Sequence, residues 1–329
     1  EQIGIPLNAD FNGATQEGAG YYQLNTRRGL RCSTATGYLR PAERRANLEV
    51  RTGALVERIE LEAGRAVGVR YRHGGKLRRA GAAREVLLAA GSIGSPHILQ
   101  LSGIGPGAAL QAAGIAVAHD LPGVGENLQD HYQVRMYYRC TQPITLNDTL
   151  RSWTGKARIA LEFVVRRSGP MSIGAGHVGI FTRSRPHLCA PDLQFHIFPL
   201  STDRPGLGIE GLHKFSGFTA SVCHLRPESR GRIVVRSADP PQAPAIWPNF
   251  LDATEDRRRS SAGCGWRAGC RAPRRWRLTW PRRSASGRRR HPTRKSWRRR
   301  GRSGRPSSTP RGPARWAPVK WGATRWRWS

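Results

Sequence analysis

The sequence predicts a mixed fold, α/β in class and α+β over the whole chain, with three parts. An apolar run, Val86–Ala90, leads through a glycine turn into a helix and predicts a partial doubly wound domain over residues 1–130. Short alternating segments indicate an antiparallel-sheet domain over residues 131–256. Residues 257–329 are rich in arginine and tryptophan and poor in aliphatic side chains, which predicts a disordered tail.

The run Val86–Ala90 is continuous rather than alternating, so it predicts a strand buried on both faces of a parallel sheet. Gly91–Gly94 predicts a tight turn, and Ser95 with Pro96 predicts the start of a helix that stops at Gly103. This order places free backbone N–H groups at the carboxyl end of a strand, where open α/β sheets bind ligands. The alternative is an ordinary βα unit that binds nothing, and the geometry alone favours that alternative.

The remaining elements of residues 1–130 are predicted from alternation and from turn residues. They are a loop and short strand over Asp10–Tyr22, a helix within Arg31–Pro41, strands over Leu48–Thr52, Ala54–Ile59, Ala66–Arg72 and Lys76–Ala83 with a hairpin turn at His73, a helix over Ala108–Ala113, and a strand over Ile115–Ala118.

Residues 131–256 change in character, because short strand patterns now alternate with turn residues and only one helix is indicated. The predicted elements are strands over Gln133–Cys140, Val178–Arg183, Leu193–Phe198, Phe218–Leu225 and Gly231–Arg236, and a helix over Ser152–Val165.

The net charge of +33 is concentrated in one segment. Residues 257–329 contain 25 of the 55 Lys and Arg residues and none of the 22 acidic ones, so the preceding residues hold 30 basic and 22 acidic groups, a net +8. The charge therefore gives no reason to expect that the folded part binds nucleic acid or a membrane surface.

Two hypotheses account for the tail. As a functional arm, its arginines would neutralise phosphates and its tryptophans would stack on bases. As a translation artefact, it would be GC-rich DNA read out of frame from near Arg257. The second hypothesis is favoured, because Trp316–Ser329 shifted by two bases can encode GTCKMGRDPMAVV. We therefore expect no specific nucleic-acid partner.

Several site classes are excluded or disfavoured. The six cysteines form no C-x-x-C pair, which favours a reducing compartment such as the cytoplasm, and no stretch resembles a membrane span or a secretory signal. Gly206–Gly211 fits the G-x-G-x-x-G pattern but follows no hydrophobic strand, so it is interpreted as a surface loop. The histidines show no metal-ligand spacing, and His196 and His224 are interpreted as satisfied core residues.

Two blocks carry a family resemblance. Residues 91–105, GSIGSPHILQLSGIG, resemble a signature of the glucose–methanol–choline (GMC) flavoprotein oxidoreductases, and residues 121–131, LPGVGENLQDH, resemble the block that follows it. Segments 10–22, 31–41, 191–196 and 225–231 resemble other parts of the same family. Blocks of this length in the right order are a specific signal.

The resemblance implies an FAD-binding domain followed by a substrate domain whose sheet forms one wall over the flavin. It implies oxidation of a choline-like or other primary alcohol to the aldehyde by hydride transfer to FAD. It assigns cofactor contacts to Val56, through its backbone at the adenine, and to Ala90 and Gly91 near the cofactor. No catalytic residue and no metal ligand can be assigned, and the oligomeric state cannot be predicted.

The resemblance also leads us to expect a fragment. The chain starts at Glu1 rather than methionine and lacks the family's N-terminal strand–G-x-G-x-x-G–helix. The family's C-terminal histidine does not appear in the amino-acid sequence either. We therefore expect that the isolated chain neither retains FAD nor oxidises choline.

Overall fold

The computed structural model describes residues 4–174, 176–204 and 208–265. Residues 266–329 of the predicted disordered tail lie outside the described residues, and so do Pro205–Leu207 of the G-x-G-x-x-G region. Residues 257–265 were also predicted to be disordered, and this is wrong, because they lie in a helix, Thr254–Gly265. The rest of that region forms a short 3₁₀ turn, Gly208–Gly211, as a surface loop would.

The described residues form strands that are mostly short. They are β1 (Gly18–Tyr21), β2 (Thr26–Arg27), β3 (Leu30–Arg31), β4 (Ala54–Glu62), β5 (Arg65–His73), β6 (Lys76–Gly81), β7 (Ile104–Gly105), β8 (His119–Asp120), β9 (Gln133–Arg139), β10 (Val178–Thr182), β11 (Leu193–Phe198), β12 (Gly217–His224), β13 (Arg232–Val234) and β14 (Ala245–Trp247).

The helices of the same residues are more unequal in length. They are α1 (Arg40–Ala42), which continues a π-helical turn over Ala35–Leu39, then α2 (Gly91–Leu101), α3 (Gly107–Ala112), α4 (Leu146–Arg151), α5 (Trp153–Arg166) and α6 (Thr254–Gly265). The mixed α/β class predicted from the sequence is confirmed.

The largest sheet has five strands in the order β1-β10-β11-β12-β9, and β1, β10 and β11 pair antiparallel. One face carries a cluster of buried side chains, Leu193, Phe195 and Val222. Half-buried Ile180 and Ile197 extend this cluster. Because β11 alternates, Gln194, His196 and Phe198 point to the opposite face.

A three-stranded meander, β4-β5-β6, forms a second sheet. The β5–β6 hairpin closes through Gly74 and Gly75, both with positive φ, as the predicted turn at His73 requires. Helix α2 is fixed to this sheet at its C-terminal end, where the Ser102 hydroxyl accepts a 2.8 Å hydrogen bond from the Ile59 N–H.

Gln100 joins α2 to the segments that follow it. Its side chain is buried and donates to the carbonyls of Val124 at 3.1 Å and Ile233 at 2.9 Å, while its carbonyl accepts from the Val235 N–H at 2.6 Å. Gly125 makes room for it, because a Cβ there would lie 2.4 Å from Nε2 and its φ is +88°. A small core of Leu101, Leu110, Ile115 and Val235 packs beside this network.

The chain divides into two compact units. The described residues of 1–136, 158–198 and 220–271 form one, and those of 137–157 and 199–219 belong to the other. In the second unit, buried Asn147 donates to the carbonyls of Ser201 and His213, each at 3.0 Å. The domain boundaries predicted at residues 130 and 256 stay a prediction.

The predicted strand Val86–Ala90 is wrong. This segment belongs to no sheet of the described residues, and Leu87 is 82% exposed. A strand is buried on both faces when it lies in a sheet that other elements cover on each side, and Val86–Ala90 lies in no sheet of the described residues.

Three smaller predictions also need correction. Helix α2 begins at Gly91 rather than Ser95, so the predicted turn Gly91–Gly94 is its first turn and Pro96 lies inside the helix. Neither Leu48–Thr52 nor Ile115–Ala118 forms a strand. Both are short runs without a pairing partner, and local alternation cannot supply one.

Candidate functional site

The predicted cofactor residues Ala90 and Gly91 lie at the N-terminus of α2. Ala90 is the N-cap residue and makes no side-chain capping bond, and Gly91 has φ +81° with no atom within 4 Å of where a Cβ would be. The first N–H groups of a helix have no partner inside it, and the helix dipole adds positive potential there. This end of α2 therefore has the open backbone that close approach of an anionic group requires.

Val56, the third predicted cofactor residue, lies half-buried near the start of β4 and pairs with Tyr71 of β5. The register shifts immediately after it, between Val56 and Arg58, which marks a local irregularity in the strand. Helix α2 packs against β4 through the Ser102–Ile59 bond, whereas Ala90 and Gly91 lie at the other end of α2. The contact between α2 and β4 is thus made at the end of α2 opposite Ala90 and Gly91. The cofactor roles of the three residues stay predictions.

A second candidate site lies on the face of the five-stranded sheet opposite the Leu193 cluster. The Tyr22 hydroxyl lies 2.9 Å from His196 Nδ1 and accepts a 2.9 Å hydrogen bond from Gln194 Nε2. It also lies 3.2 Å from the Phe195 carbonyl, and the Tyr22 ring stacks on the His196 ring at a centroid distance of 5.4 Å. Cys223 completes the cluster, because its thiol lies 3.9 Å from the side-chain oxygen Oε1 of Gln194.

Burial keeps this cluster uncharged at neutral pH. It lowers the pKa of His196 to about 4, with a further contribution from the charge of His131. It raises the pKa of the Cys223 thiol to about 12, assisted by Asp130, and it raises the pKa of the Tyr22 hydroxyl despite the bond from Gln194. The cluster therefore offers neutral hydrogen-bonding groups rather than a charged acid or base.

Sequence reasoning missed this cluster because its members lie far apart in the chain. The interpretation of His196 as a satisfied residue fits its bond to Tyr22, but nothing in the sequence pairs the two. The available signal was the alternation of Gln194, His196 and Phe198 along one face of β11. His224, interpreted in the same way, is buried but has no hydrogen-bond partner for Nδ1.

Replacing Tyr22 with phenylalanine is expected to lower the free energy of unfolding by about 1–2 kcal/mol, because Gln194 and His196 then lose a buried partner. The matched control is Tyr21→Phe, since the neighbouring Tyr21 is exposed, and we expect a change within about 0.5 kcal/mol. Urea unfolding of both variants measures the difference. Equal stability of the two would show that the Tyr22 hydroxyl bonds contribute nothing.

Among the described residues, no group of three or more His, Cys, Asp or Glu side chains is arranged to hold a metal ion. None of the helices in the described part of the chain combines the length and apolar character needed to cross a membrane.

Comparison with known proteins gives consistent matches. Residues 1–133 match the family model of the GMC oxidoreductases. An oxygen-dependent choline dehydrogenase of Photobacterium profundum is 43% identical over 257 residues, 78% of this chain and 44% of that protein. The corresponding protein of Chromohalobacter salexigens is 42% identical over 257 residues, 78% of this chain and 45% of that protein. The chain thus spans less than half the length of these curated relatives.

Solved structures support the fold. A formate oxidase of Aspergillus oryzae superposes with a TM-score of 0.71 at 23% identity, over 80% of this chain and 50% of that one. An FAD-dependent oxidoreductase from Chaetomium thermophilum superposes with a TM-score of 0.70 at 24% identity, over 83% of this chain and 53% of that one. The family model and the curated relatives thus show that residues 1–133 belong to the GMC oxidoreductase family, and the solved structures show the same fold.

Proposed function

We propose that this chain is part of an FAD-dependent oxidoreductase that converts a choline-like primary alcohol to the aldehyde. The observation that carries the proposal is the 43% identity with an oxygen-dependent choline dehydrogenase over 257 residues, which is 78% of this chain. It supports a shared substrate class more directly than the distant structural matches, which concern the fold.

The residues present fit a phosphate-bearing dinucleotide. The N-terminus of α2 offers open backbone at Ala90 and Gly91, and a Cβ at position 91 would meet no atom but would strain the backbone at φ +81°. Val56 would contact the adenine through its backbone. When bound, FAD supplies the two-electron acceptor for alcohol oxidation.

The uncharged face of the five-stranded sheet that carries Tyr22 suits the binding of an alcohol substrate. Tyr22, Gln194 and His196 hold one another by hydrogen bonds, so a substrate hydroxyl placed there would meet fixed, neutral partners. No catalytic base is assigned to any of them.

The free cysteines among the described residues, such as Cys32 and Cys223, support a reducing compartment such as the cytoplasm.

A chimera tests the proposal. Residues of this chain that align with the Photobacterium relative would replace their counterparts there, with the rest of that protein unchanged. We expect the chimera to bind FAD and to oxidise choline, measured by flavin absorbance and by aldehyde formation. A folded chimera without flavin would contradict the cofactor assignment, and one with flavin but active only on other alcohols would contradict the choline-like substrate.

The full chain by itself is the matched comparison. We expect it neither to retain FAD nor to oxidise choline, so flavin absorbance that co-purifies with it would contradict that expectation.

The basic composition of the C-terminal segment supports a second candidate function, nucleic-acid binding. It would show as affinity for single-stranded DNA that falls steeply with salt and disappears when residues 257–329 are removed. Absence of such binding would leave the enzyme proposal alone.

A further inference from the structure

Helix α6 is held on the five-stranded sheet mainly by polar groups. Its apolar contacts are few, with Gly263 lying against Val222 and Leu193, and Cys264 packing on the same cluster. Otherwise the helix is rich in charged and small polar residues. A helix with so little apolar surface depends on specific hydrogen bonds and ion pairs for its position.

The first of these is made by the buried carboxylate of Asp256. Its two oxygens accept 2.8 Å hydrogen bonds from the backbone N–H groups of Glu228 and Ser229. Burial, the largest single influence, would raise the pKa of Asp256, but these bonds and nearby His224 outweigh it and lower the pKa. The carboxylate therefore stays ionised through the neutral and mildly acidic range.

The second is a contact between Arg259 and His224. A guanidinium nitrogen of Arg259 lies 3.1 Å from His224 Nε2, and the same side chain lies 3.5–3.9 Å from the carboxylates of Glu228, Glu255 and Asp192. Only 4% of the His224 side chain is exposed, so this contact is shielded from water.

The contact fixes the protonation of His224. A guanidinium only donates, so Nε2 must accept and the single ring proton must lie on Nδ1. Nδ1 has no hydrogen-bond partner, and its nearest carboxylate oxygen, on Asp256, is 3.6 Å away. A second proton would have to enter at Nε2, directly against the Arg259 guanidinium.

We propose that His224 and Arg259 form an acid-sensitive latch: protonation of His224 at Nε2 removes the acceptor that holds Arg259 and weakens the docking of α6 on the sheet. Undocking would expose the apolar cluster of Leu193, Phe195 and Val222. The latch is independent of the proposed enzymatic function.

The charged groups around His224 shift its pKa in opposite directions. Burial has the largest effect and lowers the pKa of His224, and the charge of Arg259 lowers it further. Asp256 and Asp192 raise it, and His131 lowers it again. Asp192 is already occupied by the backbone N–H and hydroxyl of Ser184, each at 2.6 Å, so it has little capacity left to stabilise a protonated ring.

The sign of the pH dependence follows. Because the docked state holds the pKa of His224 below the free value of about 6.5, docking is complete above that pH. It weakens as the pH falls below it, by up to about tenfold per pH unit. The window from pH 7.5 to 5.0 isolates this histidine from Asp256, whose pKa is lowered.

Hydrogen exchange of the full chain, corrected for intrinsic exchange rates, tests the latch. Amides of 254–265 are expected to lose about fivefold protection between pH 6.5 and 5.5, while amides of β10 and β11 keep theirs. In His224→Gln the amide can still accept from Arg259 but does not titrate, so this loss should disappear. His131→Gln, which removes the neighbouring titratable ring, should retain it.

Three results would overturn the proposal. They are protection of 254–265 that does not change with pH, an equal change in His224→Gln, and loss of protection by β10 and β11 together with α6.

Discussion

Replacing Gln100 with leucine is expected to lower the free energy of unfolding by about 3–5 kcal/mol, a large fraction of the stability of a typical domain. Leucine has a similar size but leaves the carbonyls of Val124 and Ile233 without their donor and the N–H of Val235 without its acceptor. All three groups lie in a buried network, so water cannot replace the lost bonds. Urea unfolding followed by circular dichroism measures the loss.

Gln111→Leu is the matched control for this substitution. Gln111 lies on α3 with its side chain exposed, so the same chemical change there should alter stability by no more than about 0.5 kcal/mol. If Gln100→Leu were equally mild, Gln100 would not be the connection between α2 and β13.

Truncating Leu193 to alanine should have an effect of the same order, about 2–5 kcal/mol. Leu193 is fully buried and packs in one cluster with Phe195 and Val222, with Gly263 of α6 against it. The lost side chain leaves a cavity at the centre of this cluster, which the surrounding sheet can fill only partly. Thermal unfolding and urea unfolding both report the change.

Leu193→Met tests whether the loss of stability comes from the cavity or would follow any substitution at this position. Methionine conserves most of the volume, so the expected cost is below about 1.5 kcal/mol. Similar losses in the alanine and methionine variants would contradict the cavity argument.

Antiparallel strands proved the most predictable part of the fold. The bounds of β11, Leu193–Phe198, agree with those predicted, because both ends are set by local turn residues and one face must be apolar. The β5–β6 hairpin follows from two consecutive glycines after His73. In each case the deciding information lies within a few residues.

The elements that failed depend on contacts distant in sequence. Val86–Ala90 has the composition of a buried strand, but composition cannot provide the neighbouring strands that would pair with it. For α2, serine and proline at 95 and 96 suggested a start, whereas positive φ at Gly91 allows the chain to enter the helix one turn earlier. Proline is tolerated there at the cost of one backbone hydrogen bond.

The candidate site divides in the same way. Ala90 and Gly91 were predicted from a continuous motif, and the structure places them at an open helix end, although their contact with a cofactor stays a prediction. Tyr22 and His196 are separated by 174 positions and meet only because β1 pairs with β10 and β10 with β11. No local pattern encodes that meeting.

The partly exposed Val86–Ala90 segment also affects how this protein behaves at high concentration. The segment is uncharged and Leu87, Ala89 and Ala90 are exposed, and an apolar stretch of this kind favours pairing between molecules. Arg84 and Glu85, immediately before it, place two charges at the entrance and act as gatekeepers against such stacking. Self-association of this chain should therefore begin at this segment, and its yield in soluble form should depend on those two side chains.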